Sequence, residues 1–517
     1  MNLLLPLILF IFIACGIMAG CVADQRAGDW VSKGEVFTGQ GNINEAIRAF
    51  DNAIEIEPGN VSILVEKGDA LQALGEIEKA VKVYNQAIKL SPRKAVAWLK
   101  SGQSLLKLGK YDEAIKAFNT TIDITPDDES SWVGMGDALT RLGKNERAVN
   151  AYDRALGINP GNSAAWVGKG EALTNLKQYD EALAAYEQAI GINRNDVTAW
   201  INKGKTQTIL GKFQEAFTAY GEAARIAPKD AAPWIGKGEV SLYLGQNGEA
   251  LAAFSQAVSI DPAQVPAWIG KGEALSGVGR QDEALVAYEQ AISLNPKVAE
   301  AWYKKGTVLA ILNKTDDALS AYEQAIMLDP ENGAVWKTKG ELLSKQGKFD
   351  DAAEAFGHAT SITSDDAALW ISQGDALMNA GKSQGALAAY EQALTIDPRN
   401  FQIWVSKGRV LMMLAKYGDA DQAFTQALKN YPADIALWIA KGDALENLGK
   451  CEDAIAAYDT AISINPLNAT AWMNKGDAYK NLVQYEEAVR AYDKALSINP
   501  NDNGTKASKN FILEKMK

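Results

Sequence analysis

The sequence predicts an all-α protein, a solenoid of about fourteen helical hairpins, and three periodic observations carry that expectation. All thirteen Trp residues fall on one period of 34 residues from Trp30 to Trp472, with Leu64 filling the single vacant phase. Counted from that phase, the fourth following residue is always Gly, from Gly34 to Gly476, the sixteenth always Ala, from Ala46 to Ala488, and the twentieth always Phe or Tyr, from Phe50 to Tyr492. Twelve phases carry Pro at the twenty-eighth position, Arg194 and Ser364 being the exceptions. A period of this length is the signature of stacked supersecondary units, each too small to bury its apolar face alone.

The elements follow in chain order. No residue from Leu3 to Ala23 is charged, and the Leu, Ile and Phe run from Leu3 to Ile13 reads as the apolar region of a secretory signal. It ends in Met18-Ala19-Gly20-Cys21, which resembles the lipobox of lipoprotein precursors and implies cleavage before Cys21 and acylation of that cysteine. The alternative is an uncleaved membrane helix, since 21 uncharged residues suffice to cross a bilayer. Residues 1–21 are thus expected to anchor the chain, with export to the cell surface or envelope favoured, and 22–26 to form a short tether.

In each repeat of residues 27–502, Trp, Gly and usually Leu fall at i, i+4 and i+7, one face of a first helix, and Ala46, Phe50 and Ala53 show the same spacing in the second. Between them Gly followed by Lys, as in Gly109-Lys110 and Gly449-Lys450, predicts a glycine C-cap with a cation near the helix end. Acids such as Asp112-Glu113 open the second helix at its positive end, and Pro92 or Pro126 closes it. Pro233 and Pro266 stand in the first turn of first helices, where Pro is tolerated. Residues 503–517, with Phe511, Leu513 and Met516 among Lys506, Lys509, Lys515 and Lys517, predict a C-terminal capping helix.

The recurring W-x2-K-G-x2-L, then A-x3-[FY]-x2-A and Pro at a period of 34, resembles the tetratricopeptide repeat over residues 27–502. That resemblance implies a right-handed α-α superhelix whose first helices line the concave side. The sequence departs from the family pattern three residues after the Trp, where eleven repeats carry Lys, among them Lys169, Lys203, Lys237 and Lys271. A lysine stem covers apolar surface while its ammonium reaches water.

Composition limits the chemistry. A net charge of −12 gives no electrostatic basis for gripping phosphates, so nucleic acid is excluded as a partner. One His and three Cys leave little for zinc sites, catalytic triads or disulfides, and no phosphate loop or HExxH occurs. A non-enzymatic protein with no cofactor and no small-molecule substrate is expected. His358 reads as a helix-surface residue and Cys451 as half-buried packing at a position that elsewhere holds Tyr or Phe. The acidic pairs Asp127-Asp128 and Asp365-Asp366 read as helix-start acceptors. Repeat 10, with Gly357 inside a helix and Ser364 in place of Pro, is expected to be the weak point of the array.

The resemblance places binding on first-helix positions one, five, eight and nine after the Trp. One after it runs an aliphatic row that includes Val133, Val167, Ile201, Ile235 and Ile269. Five after it runs an acidic row that includes Asp137, Glu171, Glu239, Glu273, Glu341, Asp375, Asp443 and Asp477. Two readings stay open. The rows suit an extended or helical protein segment carrying apolar and basic side chains, or each acid pairs with the Lys two residues earlier or with the adjacent repeat, holding register. The Lys and Asn pair with which such repeats clamp a C-terminal carboxylate is missing, as is an asparagine ladder two after the Trp. The expected function is a membrane-tethered protein-interaction scaffold. The alternatives are an envelope assembly or secretion lipoprotein, and a glycan-binding structural protein using Tyr243 and Tyr303.

Overall fold

A computed structural model describes residues 26–517. The signal segment, Cys21 and most of the tether lie outside the described residues. Every regular element among them is an α-helix, and they form two compact units, one ending at Val278 and the other beginning at Gly279. No helix of the described residues is long and apolar enough to cross a membrane.

After an opening helix at residues 26–39, each hairpin repeats one design: a first helix of 13 residues, as in Val61–Ala73, and a second of 14, as in Ile77–Leu90. Unit 1 holds seven hairpins and the first helix of the eighth, Val265–Gly277. Unit 2 opens with the second helix of that repeat, Gln281–Leu294, continues through six hairpins and ends in a lone helix, Asn503–Lys515. Within each unit consecutive helices pack against one another, and in unit 1 the first helices of repeats 2 to 8 also touch in succession.

The core of a hairpin is one ring in a glycine slot. A methyl group built on Gly170 would stand 2.5 Å from the Tyr186 ring, and one on Gly476 would stand 2.6 Å from Tyr492. Any side chain there collides with the ring, which is why the position is invariant across the repeats. Where the next repeat carries a second glycine two after its Trp, the ring is held from both sides: Gly134 and Gly168 would each clash at 2.5 Å with Phe118 and Tyr152 of the preceding hairpin. Alanines such as Ala46, Ala114 and Ala182 close the floor, completely buried or nearly so.

The turn between the two helices is left-handed in all fourteen repeats. Ten are Gly, with φ from 70° at Gly245 to 83° at Gly75, and four are Lys177, Asn313, Ala415 and Val483, with φ between 56° and 63°. The Glu76 amide reaches back to the Leu71 carbonyl at 2.8 Å and Lys144 to Leu139 at 2.9 Å, the Schellman pattern expected of the glycine C-cap. Most first helices are capped by side chains: Asp128 accepts from the Ser131 amide at 2.8 Å, and Asp366 from Ala368 and Leu369. The second helices differ from expectation. Their N-cap residues, usually Lys or Gln, make no side-chain cap bond, so acids such as Asp112 and Glu113 act in the first turn through the helix dipole.

Candidate functional site on the first helices

Three layers of side chains surround each ring, and together they decide what remains open on the first-helix face. The outermost is the Trp. From Trp98 to Trp472 every indole N–H donates to the carbonyl six residues earlier, at the end of the preceding repeat: Trp98 to Pro92 at 2.9 Å, Trp166 to Pro160 at 3.0 Å. The bond persists at 3.0 Å where that residue is Arg194 or Ser364, so the carbonyl, not the proline ring, is the partner.

The second layer is the Lys three after the Trp. Its ammonium lies over its own indole, 4.2 Å from the Trp30 centroid for Lys33 and 5.0 Å from Trp268 for Lys271. It also pairs with an acid on the second helix of the preceding repeat: Lys67 with Asp51 at 2.5 Å, Lys203 with Glu187 at 2.9 Å, Lys339 with Glu323 at 3.1 Å, Lys475 with Asp459 at 2.5 Å. Lys441 pairs with Asp421, one turn earlier on the corresponding helix. Pairing of these lysines with the row acid two residues later is therefore corrected: residues at i and i+2 point to different sides of a helix.

The third layer is the row acid itself, and here the row splits by side-chain length. All five Asp residues accept the hydroxyl of the buried Tyr of their own hairpin: Asp69 from Tyr84 at 2.6 Å, Asp137 from Tyr152 at 2.7 Å, Asp375 from Tyr390 at 2.5 Å, Asp443 from Tyr458 and Asp477 from Tyr492 at 2.8 Å. The neighbouring repeat adds a cation or amide, with Lys100 3.1 Å from Asp69 and Asn474 donating to Asp443 at 2.7 Å. Burial, aided by the adjacent Asp69 and Asp137, drives the Tyr84 and Tyr152 hydroxyls far above the ordinary phenol range. Tyr186 and Tyr220, beside glutamates, are pushed up to about 12, mainly by burial. Burial also raises the carboxyls of Asp137 and Asp443 against the lowering effect of the hydroxyls they accept.

The Glu members behave otherwise. Glu171, Glu239 and Glu341 are exposed and Glu273 is half-buried, beside an aliphatic row in which Val133, Val167, Ile201 and Ile235 are half-buried and Ile269 is buried. The sequence contained the signal for this split: every repeat with Asp in the row has Tyr as its ring, and none of the five Phe repeats has Asp.

Beyond the rows, sequence reasoning singled out Tyr243 and missed what supports it. Tyr243 is 67% exposed and lies flat on Phe213, with ring centroids 4.9 Å apart and planes 9° apart, and Ile209 beside it in sequence register is 57% exposed. Tyr303 is half-buried, its hydroxyl 3.4 Å from Thr338. His358 is exposed and stacks on Trp336 at 4.3 Å. Cys451 is buried, deeper than the half-buried packing expected; burial and the nearby Glu446 and Glu452 push its thiol up, away from reactivity. Clefts of about 560, 340 and 470 Å³ open at the Trp-Lys layer of repeats 14, 12 and 9, and none is lined by the aliphatic or acidic row. Among the described residues no group of His, Cys, Asp and Glu is arranged to hold a metal.

Hairpins that each lock one ring in a glycine slot and present one first-helix face define an α-helical solenoid. The chain belongs to the tetratricopeptide repeat family. That family's model matches residues 65–129, 133–197, 175–233, 201–265 and 439–503, together more than half of the chain, and a second tetratricopeptide repeat model matches 37–89. A model described as the Cilia and flagella-associated protein 70 C-terminal domain matches 235–436. No curated protein sequence matches. Similar solved structures include the APC/C hetero-tetramer Cut9-Hcn1, 16% identical over 94% of this chain and 96% of that one, with a TM-score of 0.41. YrrB, described as a TPR protein with an unusual peptide-binding site, is 23% identical over 37% of this chain and 98% of its own, with a TM-score of 0.33. A tetratricopeptide repeat protein from Parabacteroides merdae is 17% identical over 48% of this chain and 99% of its own, with a TM-score of 0.41.

Proposed function

We propose that this protein is a non-enzymatic interaction scaffold, tethered to a membrane through an acylated Cys21 after removal of residues 1–20, exported to the cell envelope, and binding protein segments along its first-helix face. Members of the tetratricopeptide repeat family generally bind other proteins or peptides, and the side chains favour that role over chemistry. The observation that carries the reading is the division of the acidic row. Its aspartates are engaged by buried tyrosines, whereas Glu171 and Glu341 stand exposed next to aliphatic side chains. A partly apolar strip edged with exposed carboxylates suits a segment carrying basic and apolar side chains.

The test uses a fluorescent peptide of alternating Lys and Leu and the full chain in mild detergent. Binding is expected to weaken as salt rises, and to fall about tenfold or more in a variant carrying Glu171→Lys, Glu239→Lys and Glu341→Lys. Equal affinity for an acidic peptide of the same apolar content would overturn the reading. Intact mass from native membranes checks the tether: a chain beginning at an acylated Cys21 supports it, and one beginning at Met1 removes the lipid anchor.

A further inference from the structure

Repeat 6 breaks two patterns at once. Its row residue is Lys205 between Glu171 and Glu239, and its core carries Gln207 where Leu is usual; Ile209, in the register that Tyr243 holds one repeat later, is exposed. The Gln207 side-chain oxygen is buried without a hydrogen-bond partner. Lys205 is exposed and, among the described residues, has no ion pair of the kind that holds Lys169 and Lys203. The face of repeats 5 to 7 therefore reads negative, positive, negative around an apolar patch.

The same chain offers a segment of matching pattern. In the terminal helix Asn503–Lys515 the inward anchors are Ile512 and Thr505, each 0% exposed, and Lys509 is tied to Asp493 at 2.5 Å. At 3.6 residues per turn the side opposite Ile512 carries Lys506, Glu514 and Lys517, with Phe511 at one edge and Leu513 at the other. Phe511 is 53% and Leu513 39% exposed. Leu513 stands seven residues beyond the register of a Trp, the position that packs on a second helix in complete repeats. This face reads positive, negative, positive along the helix, with charges inverted relative to repeats 5 to 7.

We propose that the terminal helix of one copy docks on the first-helix face of repeats 5 to 7 of a second copy. Glu514 meets Lys205, Lys506 and Lys517 meet the flanking Glu171 and Glu239, and Phe511 at one edge of the face meets the apolar patch. The two surfaces differ, so the contact is head-to-tail and generates rings or open chains of copies. The proposal rests on the first-helix face being the binding face.

Sedimentation of the full chain in mild detergent over a concentration series tests it. The wild type is expected to show mass rising with concentration, and Lys205→Glu or Glu514→Lys each to weaken association about tenfold. A chain carrying both reversals is expected to regain association to within about threefold of wild type, because the pair is re-formed with opposite signs. Both residues are exposed, so helical content should stay unchanged. Constant mass, or association indifferent to both reversals, overturns the proposal. Binding of the terminal helix to anionic vesicles by a chain that stays monomeric would assign that helix to lipid instead. Retained affinity for the Lys-Leu peptide in a monomeric chain would leave the scaffold reading standing and sink only the self-docking.

Discussion

Single side chains carry the sharpest consequences at the fourteen left-handed turns and the five Asp–Tyr pairs. A side chain held at positive φ stores roughly 1–2 kcal/mol that glycine does not. Val483→Gly and Ala415→Gly are expected to stabilise the protein by about 1 kcal/mol each, and Asn313→Gly by less, since Asn tolerates this region. Midpoints of urea unfolding check this, and a loss of stability in Val483→Gly would refute it. At the pairs, Asp137→Ala removes the acceptor of a buried hydroxyl and is expected to cost about 1–3 kcal/mol, with Tyr152→Phe in the same chain recovering part of the loss. Asp137 and Asp443 have folded pKa values raised above their unfolded ones, so the folded chain binds their protons more tightly. Their unfavourable contribution is complete above the folded pKa and is relieved as pH falls through it towards the ordinary carboxylate range. Asp137→Asn with Asp443→Asn should therefore flatten that part of the stability profile between neutral and mildly acidic pH. The glycine turns could be read in advance because φ above zero is a property of one residue. The hydroxyl–carboxylate pairs join positions 15 apart, outside the three- and four-residue spacings that sequence patterning uses, and only the coincidence of Asp with Tyr betrays them.

The helices and the repeat frame were visible from periodicity, while the bonds that tie one hairpin to the next were hidden. Lys67–Asp51 and Trp98–Pro92 link neighbouring repeats through partners that no local rule selects. Two hairpins end without Pro, yet their backbones are already shaped for it. Thr363, before Ser364, has φ −121° and ψ 77°, close to the −129° and 73° of Glu57 before Pro58, and Asn193 before Arg194 is likewise extended. Ser364→Pro and Arg194→Pro are each expected to raise stability by about 0.4–1 kcal/mol, chiefly by narrowing the unfolded ensemble. A drop in thermal midpoint would count against this. The second helix of repeat 10 is continuous through Gly357, but Gly lowers its helical propensity by about 1 kcal/mol relative to Ala. Amides of residues 336–369 are expected to exchange faster than those of repeats 9 and 11, and equal protection would sink the idea. The terminal helix shows how patterning misleads: Phe511, Leu513 and Met516 drew notice as apolar, yet Ile512 is the residue that anchors it.

Across the chain, stability is local bookkeeping between neighbours, because each hairpin packs mainly on the ones beside it. Damage should stay local too. Gly170→Val drives a branched side chain into the Tyr186 ring, and amide exchange is expected to rise in repeats 4 to 6 while repeat 2 keeps wild-type protection. Loss of protection throughout unit 1 would show a single cooperative block instead. The class of fold could be inferred from residue spacing alone, but the acting surface could not, since an identical frame serves any set of outward side chains. Glu171 and Glu341 stand out as exposed carboxylates only after Asp137 and its counterparts have been withdrawn from the row by their tyrosines.

The Trp layer also makes the protein a ruler for light. Its indoles from Trp98 to Trp472 share one environment, each bonded to a backbone carbonyl and most covered by an ammonium, so their emission should overlap almost completely. A steady-state spectrum then reports an average and conceals events in any one repeat. Replacing all but one Trp by Phe would turn that uniformity to advantage, giving a series of chains with one lamp each at a known place, able to show which repeat a bound segment shades.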